Sequence, residues 1–202
     1  MSRVPYEQLA LNPADHRRLQ EQLGLKCIPG AAFSALFVSQ LELLRRSGVI
    51  SIDAIIDAVR ALHNVGPPQR TKRPSQFKRS PLKGLWHVHF WDAQFMPENI
   101  RLQWKRMREG QDWLEAAIEM AIHGSGESSL TDRLRGEIAR VVVEDAFHER
   151  SEAEQLTGEW IVFARQERTH YYLTVAFHSE SDDAIRARID RFAPLEFPFL
   201  KI

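Results

Sequence analysis

The stretch from Thr157 to His178, TGEWIVFARQERTHYYLTVAFH, decides the fold. Two runs of alternating hydrophobicity, 157–165 and 169–178, flank a short polar turn, which is the pattern of a β-hairpin. A two-residue turn at 167–168 predicts three cross-strand pairs: Trp160 with Val175, Val162 with Leu173 and Ala164 with Tyr171. One face of the hairpin is then apolar. The other face carries Glu159, Ile161, Phe163, Arg165, His170, Tyr172, Thr174 and His178.

A second alternating stretch, KGLWHVHFW at residues 83–91, predicts another strand. Its alternation places Lys83, His87 and His89 on one face and Trp86, Val88 and Phe90 on the other. Two imidazoles and an ammonium on one face suit general acid/base chemistry on an anionic substrate, or a metal. The alternative is an ordinary solvated face, although neighbouring imidazoles repel when both are protonated and so add nothing as structure.

The remaining elements are mostly helical by their apolar spacing. Helices are predicted at 12–23, 31–46 and 52–63, and these form a helical unit over residues 1–65. Further helices are predicted at 97–110, 111–123, 130–149 and 182–191, followed by a last edge strand at 194–200. For 130–149 a strand is the alternative, because Val141, Val142 and Val143 are consecutive. We therefore expect an α+β protein: a helical amino-terminal third, then a small antiparallel sheet packed on helices, with one polar sheet face open. Residues 66–82 form a linker, and residues 83–202 form the α+β domain.

Charge is balanced overall but not locally. The chain has 27 basic and 27 acidic residues, yet residues 58–91 contain seven basic residues and no acidic one. One interpretation is a solvated linker, and the other is an arm that contacts phosphates. The second interpretation assigns nucleic-acid binding to Arg70, Lys72, Arg73, Lys78 and Arg79.

Several classes of function are disfavoured. Cys27 is the single cysteine, which excludes an internal disulfide and a cysteine-based zinc site. There is no run of 18 apolar residues and no charged-then-apolar amino terminus, so we expect a cytoplasmic protein with no membrane partner. No glycine-rich phosphate loop follows a strand, and we expect no cofactor.

The candidate site depends on how the strands pair. If the histidine strand lies beside the hairpin, Lys83, His87, His89, Glu159, Tyr172, Thr174 and His178 converge on the open polar face. Each has a plainer alternative: Glu159 begins a strand, and His178 is placed to hydrogen-bond the turn that follows it. The tryptophans and Tyr171 are assigned to the core rather than to base stacking.

Three segments together, KGLWHVHF, TGEWIVFA and HYYLTVAFH, carry a resemblance to a known group of proteins. With the order of elements, residues 83–202 resemble the superfamily of small metal-independent bacterial and phage ribonucleases that groups barnase, EndoU, colicin-type and RelE-type toxins. The chain departs from that pattern by a long helical insertion between the histidine strand and the hairpin.

The resemblance also implies roles for individual residues. His87 or His89 would be the general base, and the other histidine or His178 the general acid. Lys83 would stabilise the charge on the phosphate, and Glu159 and Tyr172 would orient the reacting groups.

Three functions follow from these patterns. The first is a toxin-like, metal-independent ribonuclease that acts on RNA, with tRNA among the candidate substrates. The second is a non-catalytic interaction protein, such as an immunity protein, antitoxin or phage accessory factor, whose amino-terminal helices bind a protein partner through Leu36, Leu41 and Leu44. The third is a metal-dependent hydrolase in which the His-x-His pair binds an ion and His178 or Glu159 supplies a third ligand.

Overall fold

The computed structural model describes residues 13–48, 50–69, 71–92, 95, 151–153, 156 and 158–200. The α-helices of this part are α1 (Pro13–Gln22), α2 (Ala35–Ser47), α3 (Ile52–Leu62) and α4 (Asp182–Glu196). The strands are β1 (Ala31–Phe33), β2 (Ser75–Gln76), β3 (Trp86–Phe90), β4 (Glu159–Gln166) and β5 (Thr169–Ala176), and a 3-10 helix spans Leu25–Cys27. The protein belongs to the α+β class, as predicted.

The five strands form one sheet in the order β1-β5-β4-β3-β2. The pairs β5-β4, β4-β3 and β3-β2 are antiparallel, whereas β1 lies parallel to β5. Among the described residues, no helix is both long enough and apolar enough to cross a membrane. The helices predicted at 97–110, 111–123 and 130–149, and the predicted phosphate-binding residue Arg70, lie outside the described residues.

The helix predictions are confirmed at α1 and α3 and corrected at two other places. Residues 31–33 form β1, and Ser34 then caps α2, accepting a hydrogen bond from the Phe37 amide. The predicted edge strand at 194–200 is wrong, because α4 continues through Pro194 to Glu196. Its buried residues Ile185, Ile189 and Ala193 recur every four residues, so packing extends the helix past the proline.

Both faces of the sheet carry packed apolar residues, so neither face is polar along its whole width; on the second face, helix α4 packs on the β4–β5 part. Helices α2 and α3 cover the first face, where Phe37, Leu41, Ile55 and Val59 pack with Val88, Phe90, Ile161, Phe163 and Tyr172, and α1 packs on α2. Helix α4 covers its part of the second face, where Ile185, Ile189 and Ala193 pack with Val162, Ala164, Leu173 and Ala176. The hairpin face predicted to be polar carries Ile161, Phe163 and Tyr172. Burial of these side chains against the amino-terminal helices stabilises the packing of the helices on the sheet.

The hairpin of β4 and β5 contains a β-bulge. Ala164 pairs with Tyr171 as predicted, but Val162 pairs with Thr174 instead of Leu173. Beyond the pairs nearest the turn, β5 therefore contains one extra residue relative to β4. A bulge shifts the register by one residue, and that shift exchanges the faces of every side chain beyond it.

The consequence appears in the last residues of β5. Trp160 pairs with Ala176, not with Val175 as predicted. Val175 now belongs to the core of the first face, while Ala176 belongs to that of the second. His178 follows two residues after Ala176, at the end of the second face.

The basic segment 66–82 contributes an edge to the sheet. Within it, β2 pairs with β3, and Ser75 lies opposite His87. Thr71 is buried and donates a hydrogen bond to the His89 carbonyl, at 3.1 Å. The segment is thus packed against the histidine strand along much of its length.

Candidate functional site: a histidine cluster on the second face

Strand β3 presents its two histidines as the alternation predicts. Trp86, Val88 and Phe90 lie toward the first face, and His87 and His89 lie toward the second. The antiparallel pairing with β4 sets His89 opposite Trp160. The ring centroids of His87 and Trp160 are 5.5 Å apart, and those of His87 and His89 are also 5.5 Å apart.

The bulge brings a third histidine to the same place. The His178 ring lies 4.5 Å from Trp160 and is stacked on His89 at 5.9 Å, with 23° between the ring planes. We call His87, His89, Trp160 and His178 the histidine cluster. Without the bulge, the alternation of β5 would direct His178 to the opposite face.

Glu159 holds His178 in a defined orientation. Its Oε2 accepts hydrogen bonds from the His178 backbone N–H at 2.6 Å and from His178 Nδ1 at 2.8 Å. A carboxylate accepts and does not donate, so His178 Nδ1 carries the hydrogen and Nε2 is left as the basic atom when the ring is neutral. The His178 side chain is 48% exposed and that of Glu159 is 17% exposed, so this histidine faces solvent while its partner is largely covered. An imidazole with an oriented, accessible Nε2 is suited to general base chemistry.

His87 and His89 are different from His178 because they are largely enclosed. His89 is only 6% exposed, and its Nδ1 donates to the Gly158 carbonyl at 2.8 Å. Burial, with smaller contributions from neighbouring positive charges, lowers the pKa of each ring from 6.5 to about 4. Both rings are therefore neutral at pH 7 and are poor proton donors there.

Gly158 allows the close approach that joins β4 to the histidine strand. A Cβ at this position would lie 1.7 Å from the Phe90 carbonyl oxygen, closer than any side chain permits. The glycine lets the two backbones meet, and its own carbonyl accepts the hydrogen bond that orients His89.

The cation beside the cluster is Lys72, not Lys83. Lys83 is exposed in the turn before β3, which begins only at Trp86, so the prediction that it shares the strand face is wrong. Gly84, with φ of +95°, separates Lys83 from the strand and interrupts the alternation. The charge of Lys72 instead acts on both His87 and His89. Lys72, Arg73, Lys78 and Arg79 are all exposed.

Tyr172 does not join the cluster. It is fully buried on the first face, where its hydroxyl lies 2.9 Å from His63 Nε2 and its ring stacks on Phe33. Burial raises the pKa of this hydroxyl. The orienting role expected for Tyr172 is therefore inconsistent with its position. Thr174 is likewise buried, donating to Gln40 Oε1 at 2.9 Å.

Two buried polar atoms of the cluster differ from the others in their hydrogen bonding. Within the described residues, the buried His87 Nδ1 and Trp160 Nε1 have no hydrogen-bond partner, whereas His87 Nε2 lies 3.3 Å from Ser75 Oγ. In the same part of the chain, no group of three or more histidine, cysteine, aspartate or glutamate side chains is arranged to hold a metal ion.

Sequence reasoning missed Trp160, Ser75 and Phe77 as neighbours of the histidines. The Phe77 ring lies 4.4 Å from His87 and 5.6 Å from Trp160. Phe77 could have been predicted from its position inside the basic run, because aromatic residues among basic ones are typical of nucleic-acid-binding segments.

No protein-family model matches this chain, and searches of the curated proteins and of the solved structures give no match.

Proposed function

We propose that the protein is a metal-independent ribonuclease whose acid/base centre is the Glu159–His178 pair. The observation that carries the proposal is the 2.8 Å contact between Glu159 Oε2 and His178 Nδ1, which leaves Nε2 as the basic atom of a neutral imidazole whose side chain is 48% exposed. A carboxylate that orients a histidine and stabilises its protonated form is a recurring arrangement for general base chemistry.

The reaction follows from ordinary phosphodiester chemistry. His178 Nε2 takes the proton of the ribose 2′-hydroxyl, the 2′-oxygen forms a bond to phosphorus, and the bond from phosphorus to the 5′-oxygen breaks. The leaving 5′-oxygen takes its proton from solvent, so the products carry a 2′,3′-cyclic phosphate and a 5′-hydroxyl. An ammonium stabilises the negative charge that develops on the phosphate, and we assign this role to Lys72, an exposed cation whose charge acts on His87 and His89.

His87 and His89 then support the reaction without transferring protons themselves. With pKa values of about 4, both rings are already neutral at pH 7 and carry no extra proton to give to a leaving oxygen, and His89 packs against the ring of His178. These two residues were expected from the sequence to be the base and the acid. The proposal moves the proton transfer to His178 because it is the member of the cluster that solvent reaches most readily.

The test is cleavage of RNA by the purified protein in excess EDTA. Wild type should cut total RNA and labelled tRNA, and His178→Ala should be at least about a hundredfold slower, the lower end of general acid/base contributions. His16→Ala is the matched control, because His16 contacts Gln20 on its own helix and lies outside the cluster. Wild-type cleavage that disappears with EDTA would replace the proposal with a metal-dependent hydrolase.

A second candidate, a non-catalytic interaction protein, is favoured by a groove of about 290 Å³ on α2, whose lining includes Leu43, Leu44, Val175 and Phe177. Of the three leucines expected to bind a partner, Leu36 and Leu41 are buried in the core and Leu44 lines the groove. This candidate predicts that Leu44→Asp loses binding to a co-purifying partner while His178→Ala retains it.

A further inference from the structure

Four rings form a continuous row across the second face of the sheet. Phe77 follows β2, His87 lies on β3, Trp160 lies on β4 and His178 follows β5. Successive ring centroids are 4.4, 5.5 and 4.5 Å apart. We call these four residues the aromatic row.

The ends of the row are accessible to solvent. Phe77 is half-buried, and the His178 side chain is 48% exposed. Both residues of β2 just before Phe77 are exposed, and so are Lys78 and Arg79 just after it. The row therefore combines partly exposed rings, tilted against one another by 35°, 56° and 51°, with positive charge at its β2 end.

That combination fits one class of ligand. Bases of an unpaired strand stack on aromatic rings while lysine and arginine contact the phosphates. The bases of a duplex are stacked on one another and present no free ring face. Trp160 also packs against the core of the second face, so the row has a rigid base.

We propose that the aromatic row is a stacking platform for bases of single-stranded RNA, so that the substrate of the site is an unpaired segment rather than a duplex. This inference rests on the proposed ribonuclease function. The nucleotide whose base stacks beside His178 would have its ribose near His178 Nε2. Binding to the row would thus position the 2′-hydroxyl for cleavage.

Binding is measured by fluorescence anisotropy with RNA that is 2′-O-methylated throughout, because methylation removes the attacking hydroxyl and prevents cleavage. The probes are one labelled strand and the same strand annealed to its complement. Wild type should bind the single strand at least tenfold more tightly than the duplex. Phe77→Ala should weaken single-strand binding by about fivefold or more, and Phe77→Tyr should restore it.

Phe199→Ala is the matched control, since Phe199 is an exposed aromatic residue that contacts Tyr171 and Phe197, outside the row. Equal affinity for strand and duplex, or Phe77→Ala binding as tightly as wild type with the fold intact, would overturn the inference. If Phe77→Ala does not fold, the comparison of strand and duplex with wild type still decides. Strand-selective binding without cleavage of ordinary RNA would sink the ribonuclease proposal and leave the platform standing.

Discussion

At the scale of single residues, the histidines of the cluster differ by what surrounds them. His178 is exposed and paired with a carboxylate, whereas His89 is enclosed and donates to a carbonyl. The alternation of the sequence predicts that His87 and His89 share one open strand face. It does not predict that they are buried. The rings that cover them are those of Trp160, on β4, and Phe77, which follows β2.

The enclosed histidines make stability depend on pH. In the unfolded chain a histidine binds a proton near pH 6.5, while the folded protein keeps His89 neutral down to about pH 4. The unfolded state therefore binds more protons between these values, and the unfolding free energy falls as the pH is lowered from 6.5 to 4.

We expect His89→Phe to reduce that slope by up to about 1.4 kcal/mol per pH unit, the contribution of one proton. Urea unfolding at several pH values between 4 and 7 measures the slope, and a loss of overall stability in the variant does not affect the comparison. Identical slopes for wild type and variant would show that His89 titrates normally in the folded state.

At the scale of elements, the helices and the histidine strand could be predicted, but the bulge could not. Apolar spacing predicts α1, α3 and most of α2, and period-two alternation predicts β3 and the hairpin turn. The hydrophobic alternation of the hairpin sequence gives no sign of the extra residue in β5. Its effect is nevertheless large, because it carries His178 to the face of His87 and His89.

Short elements that depend on distant partners were also missed. Ala31–Phe33 is read as helix in the sequence, yet it pairs with β5, where Ala32 lies opposite Tyr171. Pairing across such a distance in the chain overrides local preference. The last helix shows the same effect, since packing of Ile189 and Ala193 extends α4 through Pro194.

Two helix caps provide a test of how α2 is attached to the sheet. Ser34 caps α2 and its buried hydroxyl also donates to the Leu173 carbonyl at 2.9 Å, whereas Ser181 caps α4 at the surface. Ser34→Ala should cost roughly 2–3 kcal/mol, because it removes both the cap and the buried hydrogen bond to the Leu173 carbonyl. Ser181→Ala should cost about 1 kcal/mol. Chemical denaturation measures both; equal costs would mean that the bond to the sheet contributes nothing.

At the scale of the whole molecule, net charge conceals the arrangement of the charges. The chain is neutral, but the exposed basic residues Lys72, Arg73, Lys78 and Arg79 flank β2, the strand at the edge of the sheet. Such an edge attracts anionic polymers.

This arrangement predicts a salt dependence that can be altered locally. Replacing Lys78 and Arg79 together by glutamine should reduce the slope of log binding constant against log salt by about 1.4, at roughly 0.7 for each lost phosphate contact. Arg17→Gln with Arg18→Gln, two exposed residues of α1, is the matched control and should leave the slope unchanged. Equal effects of the two pairs would point to a general attraction without a defined binding edge. Anisotropy of a single-stranded 2′-O-methyl RNA at several salt concentrations gives the slopes.

The most direct test of the account is the rate at which Glu159→Gln cleaves RNA in excess EDTA. Glutamine can still accept the hydrogen bonds of His178, but it lacks the negative charge of the carboxylate. We predict that wild type cleaves to 2′,3′-cyclic phosphate ends, and that the variant folds normally and cleaves about tenfold or more slowly. A wild-type protein that cuts no RNA, or a folded variant as fast as wild type, would contradict the assignment of Glu159 and His178 as the acid/base centre.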